Sequence, residues 1–199
     1  VYAYPSEHYP FWRSELPEMG LDWGMFGENL TTEGLDEESV HIGDVFKLGS
    51  AQLIVTEPRM PCFKLTIRFE REDIVKRFLQ SQKSGLYFGV VQEGTVQGGD
   101  RFELLSTDSQ RLTVADVTRH YTTEKDNAEL LTKAVAASAL PVKWREYFEH
   151  QLNITAVFLC TQMVGREMVR RGAGGRIVNI ASNAAKQASA MGAAYSASK

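Results

Sequence analysis

The sequence contains few cysteines and no long apolar segment, and these two features exclude several classes of protein. Its two cysteines, Cys62 and Cys160, are too few for the disulfide framework of a small secreted domain. It has no run of about 18 apolar residues, so no transmembrane helix is predicted. The opening residues VYAYPSEHYPFW lack the basic and apolar regions of a signal peptide. We therefore expect a cytoplasmic protein without a membrane partner.

Positive charge is scarce in the first 150 residues, where 24 acidic residues outnumber 16 basic ones. The overall net charge of -3 argues against nucleic acid as the main partner. Residues 151–199 differ, because they hold six basic residues against one acidic residue, together with ten alanines. Such a change of composition predicts a domain boundary near residue 150.

Residues 1–110 have the pattern of a β-rich domain. DVFKLG and AQLIVTE are strand patterns joined through Gly-Ser, and GLYFGVVQEGTVQGGDRFELL adds two strands separated by glycine turns. One helix, REDIVKRFLQSQ, interrupts the strands with apolar residues at amphipathic spacing. Short strands punctuated by glycine predict a barrel or a sandwich.

Residues 111–150 are predicted to form a small unit of three helices. Thr113 and Asp116 make a loose capping box at the start of the first helix. Asp126 is a favourable cap for the second helix, and Pro141 lies near the first turn of the third, where proline is tolerated.

Residues 151–199 predict the order helix, strand, helix. NITAVFLCTQMVGREMVRRG is amphipathic and ends on Gly172, a residue type that often terminates helices. GRIVNIAS is a short apolar run typical of a buried parallel strand, and GAAYSASK begins another helix. This αβα order belongs to Rossmann-like α/β folds rather than to a β-barrel.

The segment TEPRMPCFKL forms the first candidate site, because it places Cys62 three residues after Arg59. A neighbouring guanidinium lowers the pKa of a thiol and offers a fork for phosphate or an oxyanion. A thiolate so placed suits a soft metal. The alternative is a buried structural cysteine beside a surface arginine, since free cysteines are usually inert core residues.

The loop GMFGENLTTEGL is a second candidate, because its glycines permit tight turns and its Asn29 and Thr31 have side chains that bind ligands. The alternative is an ordinary Gly-Asn turn. Elsewhere, the pair Glu37–Glu38 predicts a solvated acidic turn. The four histidines show no metal-ligand spacing and are predicted to lie on the surface or in loops; they are His8, His41, His120 and His150.

These segments, with AYPSEHYPFW, VHIGDVFKLGSAQLIVTEPRMPCFKL, YFGVVQEGTVQGGD and LPVKWREYFEHQL, resemble bacterial stand-alone MOSC-domain proteins (molybdenum cofactor sulfurase C-terminal) over nearly all of residues 1–150. The resemblance implies a mainly β fold, with a MOSC-type β-barrel at 1–110 and a three-helix extension at 111–150. Family members usually have further N-terminal strands, including a His-Gly-Gly segment. The resemblance therefore also implies an N-terminally truncated barrel with an exposed edge.

The same resemblance implies a cofactor and a chemistry. The cysteine that matches Cys62 carries sulfur or ligates the molybdenum of the molybdenum cofactor (molybdopterin), and the family reduces N-hydroxylated compounds or handles cofactor sulfur. Arg59 and Asn29 match positions expected near the pterin phosphate or the metal, and Thr31 is grouped with them as a cofactor-binding candidate. The expected partners are a small-molecule substrate and a redox or sulfur-donor protein.

GRIVNIASNAAKQASAMGAAYSASK resembles the catalytic segment of short-chain dehydrogenases/reductases. In that resemblance Tyr195 is the general acid/base, Lys199 lowers the pKa of Tyr195 and holds the cofactor ribose, and Ser182 hydrogen-bonds the reacting oxygen. NITAVFLCTQ matches the helix that supplies the proton-relay asparagine, here Asn153. The alternative for the Tyr–Lys spacing alone is a surface pair on a helix.

The dehydrogenase family also needs a strand, a glycine-rich turn and a helix to bind its dinucleotide, and residues 1–150 contain no such combination. We therefore expect NAD(P) to bind only if the fragment were completed. The sequence predicts a chimera with a seam near Gln151–Asn153. Three functions stay open: a molybdenum-dependent oxidoreductase acting through Cys62, an incomplete NAD(P)-dependent dehydrogenase, and a non-catalytic carrier of sulfur or cofactor.

Overall fold

A computed structural model describes residues 1–125, 127–172 and 174–179. A six-stranded mixed sheet dominates the first part of the chain, with spatial order β2-β1-β5-β4-β3-β6. The strands are β1 (Tyr2–Pro5), β2 (Leu30–Thr32), β3 (Val45–Leu48), β4 (Ala51–Pro58), β5 (Leu86–Gln92) and β6 (Phe102–Ser106). Only β1 and β2 pair in parallel, and the other neighbours are antiparallel. The four strand patterns predicted from DVFKLG to RFELL are confirmed as β3 to β6.

The sheet curls but does not close. Its register shifts between Val45 and Phe46 and at two places along β4, and such bulges bend the bulged strand and increase local twist. Within the part of the chain that the structure describes, β2 and β6 pair on one side only. The predicted barrel is therefore observed as an open half-barrel.

Residues 1–110 contain more helices than the sequence predicted, and six helices are found in the described residues. They are α1 (His8–Glu15), α2 (Phe63–Phe69), α3 (Ile74–Ser81), α4 (Val114–Thr122), α5 (Ala128–Ala136) and α6 (Val142–Arg171). Three of the six lie within residues 1–110, where a single helix was predicted, and that helix is α3. The prediction of a mainly β chain is therefore wrong for the described residues, in which sheet and helices contribute equally many elements.

Two apolar cores share the short strand β1. Ala3 packs into the core that fills the curl of the sheet, together with residues of β4, β5 and the last three helices. Tyr2 and Tyr4 belong instead to an aromatic core with α1, α2 and α3. Because successive side chains of a strand point to opposite faces, β1 is buried on both sides.

The three-helix unit begins as predicted. Thr113 accepts a hydrogen bond from the Asp116 amide and the Asp116 side chain accepts one from the Thr113 amide, which confirms the capping box. Asn127 caps α5 through its side chain, whereas the predicted cap Asp126 lies outside the described residues. Pro141 directly precedes α6.

Helix α6 is a single helix of 30 residues that runs across the predicted seam at Gln151–Asn153. It ends at Gly172, which has a φ of 65° and terminates the helix as predicted. The described part of the predicted strand, residues 175–179, is not paired in a sheet. The rest of the predicted αβα fragment lies outside the described residues.

Candidate functional site

A cavity of about 340 Å³ lies where α2, the start of β1 and the loop before β2 meet. Its lining is formed by Tyr2, Met25, Phe26, Gly27, Arg59, Met60, Cys62, Lys64, Leu65, Arg68 and Tyr87. Three of these side chains are cations, and none is a carboxylate. The cavity therefore combines a thiol with a positively charged, partly aromatic wall.

Cys62 directly precedes α2, has an extended backbone and is exposed to solvent. Pro58 is the last residue of β4, and Pro61 directly precedes Cys62. Because Pro61 has no backbone N–H, it cannot extend the strand pairing to Cys62. The alternative of a cysteine sealed in the core is therefore wrong. Cys160, by contrast, is exposed on α6 and lines none of the cavities described here.

Arg59 is buried, with 9% of its surface exposed. The alternative prediction of a surface arginine is therefore wrong. Its guanidinium carbon lies 4.8 Å from the ring centre of Tyr2 and 5.5 Å from that of Phe78. Its Nη1 is enclosed and has no hydrogen-bond partner among the described residues. No salt bridge to Arg59 is found among the described residues, so this guanidinium has charge and donor capacity left for a ligand.

Tyr2 provides the second polar group of the cavity. Its hydroxyl donates to the Ser84 carbonyl oxygen at 2.9 Å. Burial raises the pKa of Tyr2 well above its usual value, and the nearby Arg59 cation opposes this shift only in part. Tyr2 therefore stays a neutral phenol at physiological pH.

Two residues of the loop before β2, Glu28 and Asn29, lie outside the cavity lining and hold the loop and β1 in place. The side-chain oxygen of Asn29 accepts a hydrogen bond from the Tyr2 backbone amide at 2.8 Å, and the backbone amide of Asn29 donates to the Tyr2 carbonyl oxygen at 2.8 Å. Glu28 accepts hydrogen bonds from Tyr9, from the Gly24 amide and from Thr31. Glu28 was not identified from the sequence, and nothing in the spacing of its loop indicated this role.

The structure thus brings Cys62 and Arg59 together and places the other two cofactor-binding candidates elsewhere. Asn29 holds the backbone of β1 beside the cavity and does not line it. Thr31 lines a different cavity, of about 680 Å³, between β2 and β6. Among the residues missed by the sequence analysis, Lys64 and Arg68 complete the basic wall, and their i, i+4 spacing on an amphipathic helix was the available signal.

The dehydrogenase residues are only partly described. Asn153 lies on α6 and is exposed. Ser182, Tyr195 and Lys199 lie outside the described residues, so their predicted roles stay predictions.

The described residues contain neither a metal-binding cluster nor a membrane-spanning helix. In residues 1–125, 127–172 and 174–179, no three His, Cys, Asp or Glu side chains are grouped so that they hold a metal ion. Over the same residues, no helix has the length and apolar character needed to cross a bilayer.

Two family models match the chain. Residues 1–103 match the MOSC domain, and residues 125–199 match the short chain dehydrogenase. Both resemblances seen in the sequence are thereby confirmed. The first match ends before the three-helix unit and the second begins within it, so residues 104–124 lie in neither match. The division into 1–110, 111–150 and 151–199 stays a prediction.

Individual relatives agree with these two matches. The uncharacterized protein YflK of Bacillus subtilis is 40% identical over 74% of the chain. A reductase of Gibberella moniliformis is 41% identical over 60% of the chain, and the uncharacterized oxidoreductase YohF of Escherichia coli is 40% identical over 29%. The chain spans 66% of the length of YflK and 22% of each of the other two.

The crystal structure of YiiM from Geobacillus stearothermophilus is similar to the fold described above. It superposes with a TM-score of 0.73 at 37% sequence identity, over 76% of this chain and 77% of that one. The similarity supports a sheet-and-helix architecture common to both proteins.

Proposed function

The chain belongs to the MOSC-domain family, and we propose that its Cys62 cavity binds the molybdenum cofactor and takes part in the reduction of N-hydroxylated compounds. MOSC domains are associated with this cofactor, and two relatives carry names of redox enzymes, a reductase and an oxidoreductase. A small-molecule substrate and an electron-donating protein are the partners that such a reaction requires. Cytoplasmic localisation is part of the same proposal.

The observation that carries the proposal is the buried Arg59 guanidinium beside an exposed thiol. Removing a guanidinium from water is costly unless an opposite charge or full hydrogen bonding compensates it. The described residues lining the cavity offer Arg59 no carboxylate, and its Nη1 has no partner among them. An anionic group of a ligand, such as a cofactor phosphate, provides the missing charge and acceptors.

The donor set also favours a metal that arrives with ligands of its own. Cys62 is the one His, Cys, Asp or Glu side chain in the cavity lining, and the described residues contain no group of three such side chains able to hold a metal ion. A free metal ion would be held weakly by a single protein ligand. A cofactor that carries its metal on organic sulfur ligands fits this arrangement.

Each side chain of the cavity then has a role that follows from its chemistry. Arg59 pairs with an anionic group, and Lys64 and Arg68 attract anions at the rim. The sulfur atom of Cys62 is available as a ligand to the metal of the cofactor. When bound, the molybdenum cofactor supplies the redox chemistry for reducing an N-hydroxylated compound.

The test compares metal content and activity in matched variants. We expect Cys62→Ser to lose bound molybdenum, measured by mass spectrometry, and to lose reduction of an amidoxime by a chemical electron donor. Cys160→Ser is the control, because it removes the other exposed thiol outside the cavity. Equal molybdenum content in the two variants would show that Cys62 is not a ligand.

A second function is favoured by the exposure of Cys62. A thiol that reaches solvent beside cations is suited to carry a persulfide to a partner enzyme. This carrier predicts a mass increase of one sulfur on Cys62 and no turnover by the isolated chain. Amidoxime reduction that depends on Cys62 would decide for the oxidoreductase.

A further inference from the structure

The turn Ser84–Gly85, directly before β5, contacts two residues that line the Cys62 cavity, Tyr2 through its hydroxyl and Arg59 through its backbone. The Ser84 carbonyl oxygen accepts from the Tyr2 hydroxyl, and the Gly85 carbonyl oxygen accepts from the Arg59 amide at 3.4 Å. Gly85 has a φ of 64°, and a Cβ there would lie 2.5 Å from the Ala3 carbonyl oxygen. Because this turn is held so closely against β1, moving it would move Tyr2 and Arg59.

Glu37 holds the same turn through its carboxylate and is not part of the cavity lining. Its Oε1 accepts from the Gly85 amide at 2.6 Å, and the Nε2 of His8 lies 2.7 Å from its Oε2. Glu37 is 4% exposed and His8 is 7% exposed, which overturns the prediction of a solvated acidic turn and a surface histidine. A carboxylate only accepts hydrogen bonds, so Nε2 of His8 is the donor of this pair.

Glu37 is also tied to the three-helix unit. Its carbonyl oxygen accepts from the Ala115 amide, in the first turn of α4, at 2.9 Å. Its backbone is therefore anchored independently of its side chain. A change of the carboxylate alone would release the Gly85 amide without removing this anchor.

We propose that Glu37 is a positioning residue of the Cys62 cavity. Its carboxylate, paired with His8, fixes the Gly85 amide and so aligns Arg59 and Tyr2 for an anionic ligand. Glu37 does not line the cavity, and its hydrogen bond reaches the cavity residues through the turn. This inference rests on the proposed function, because it assumes that the cavity binds an anion.

The experiment uses inorganic phosphate as the probe. Phosphate bound at Arg59 shields Cys62, so it slows alkylation of Cys62 by iodoacetamide, measured in the full chain carrying Cys160→Ser. Glu37→Leu removes the acceptor for the Gly85 amide. It is expected to raise the phosphate concentration that half-protects Cys62 by about tenfold, because a tenfold change corresponds to the loss of one hydrogen bond to a charged group.

Two variants separate positioning from general stability. Glu37→Gln keeps an oxygen acceptor for the Gly85 amide and is expected to restore protection to within about threefold of the wild type. Glu38→Leu is the matched control, because Glu38 is exposed, pairs with Arg119 and does not touch the turn. It is expected to keep wild-type protection.

Every outcome has a defined meaning. A folded Glu37→Leu variant with wild-type half-protection refutes the positioning role. If that variant does not fold, the wild-type protein decides by NMR: phosphate is expected to slow hydrogen exchange of the Gly85 amide, and an unchanged rate refutes the role. If phosphate does not protect wild-type Cys62, or still protects it after Arg59→Gln, the anion site itself fails, independently of Glu37.

Discussion

Replacing Arg59 by methionine tests whether this buried cation serves a ligand or the fold. Leaving its Nη1 enclosed without a partner costs about 1–3 kcal/mol. The contacts of its guanidinium with the Tyr2 and Phe78 rings return about 0.5–2 kcal/mol. Methionine at position 59 removes both the cost of the enclosed nitrogen and the gain from the ring contacts, and it keeps much of the side-chain volume. We therefore expect ligand-free Arg59→Met to unfold with a free energy within about 1 kcal/mol of the wild type.

The assay is urea unfolding followed by circular dichroism, without phosphate and with it. A ligand at ten times its dissociation constant stabilises a protein by about 1.4 kcal/mol, so phosphate is expected to stabilise the wild type and not Arg59→Met. Arg13→Met is the control, because Arg13 also contacts two aromatic rings, those of Tyr9 and Trp23, outside the cavity. That variant is expected to keep the phosphate effect.

The refuting result is a large loss of stability without any ligand. Removing one partner of a satisfied buried ion pair costs about 3–5 kcal/mol. If ligand-free Arg59→Met loses that much, Arg59 is a structural cation with a partner. The anion site would then lose its main support.

Three further results are expected from the same unfolding assay. Thr113→Ala removes the cap of α4 and is expected to cost about 1 kcal/mol, and a loss below about 0.3 kcal/mol would contradict the capping box. Partial burial tends to raise the pKa of Asp116, but hydrogen bonds from Arg119 and Thr113 lower it overall. The Asp116 carboxylate therefore stabilises the fold fully at pH values above its ordinary pKa of 3.8, and this contribution is lost as the pH falls through the lowered pKa. Asp116→Asn is expected to make the unfolding free energy less sensitive to acid. An unchanged dependence of the unfolding free energy on pH would refute this. Gly85→Ala forces a Cβ against the Ala3 carbonyl oxygen at positive φ and is expected to cost more than about 2 kcal/mol, so wild-type stability would contradict the observed turn.

The spacing of apolar residues along the sequence correctly predicted several strands and helices. Alternating apolar residues gave the right strands at β3 and β4, and the i, i+3, i+4 spacing in REDIVKRFLQSQ correctly indicated α3. The helix α1 was missed although its buried Tyr9 and Trp12 are three residues apart, a helical spacing. The proline at position 10 obscured it, yet proline in a first turn costs a helix no hydrogen bond.

The sequence by itself determined that Cys62 and Arg59 are neighbours along the chain, because only two residues lie between them whatever the fold. It also determined both family resemblances, since the motifs of each lie in contiguous segments. Only the tertiary structure decided that Arg59 is buried with a nitrogen that has no hydrogen-bond partner among the described residues, because Tyr2 and Phe78 reach it from distant parts of the chain. The burial of Glu37 was decided in the same way, since its partners His8 and Gly85 lie 29 and 48 residues away and only folding brings them within hydrogen-bonding distance.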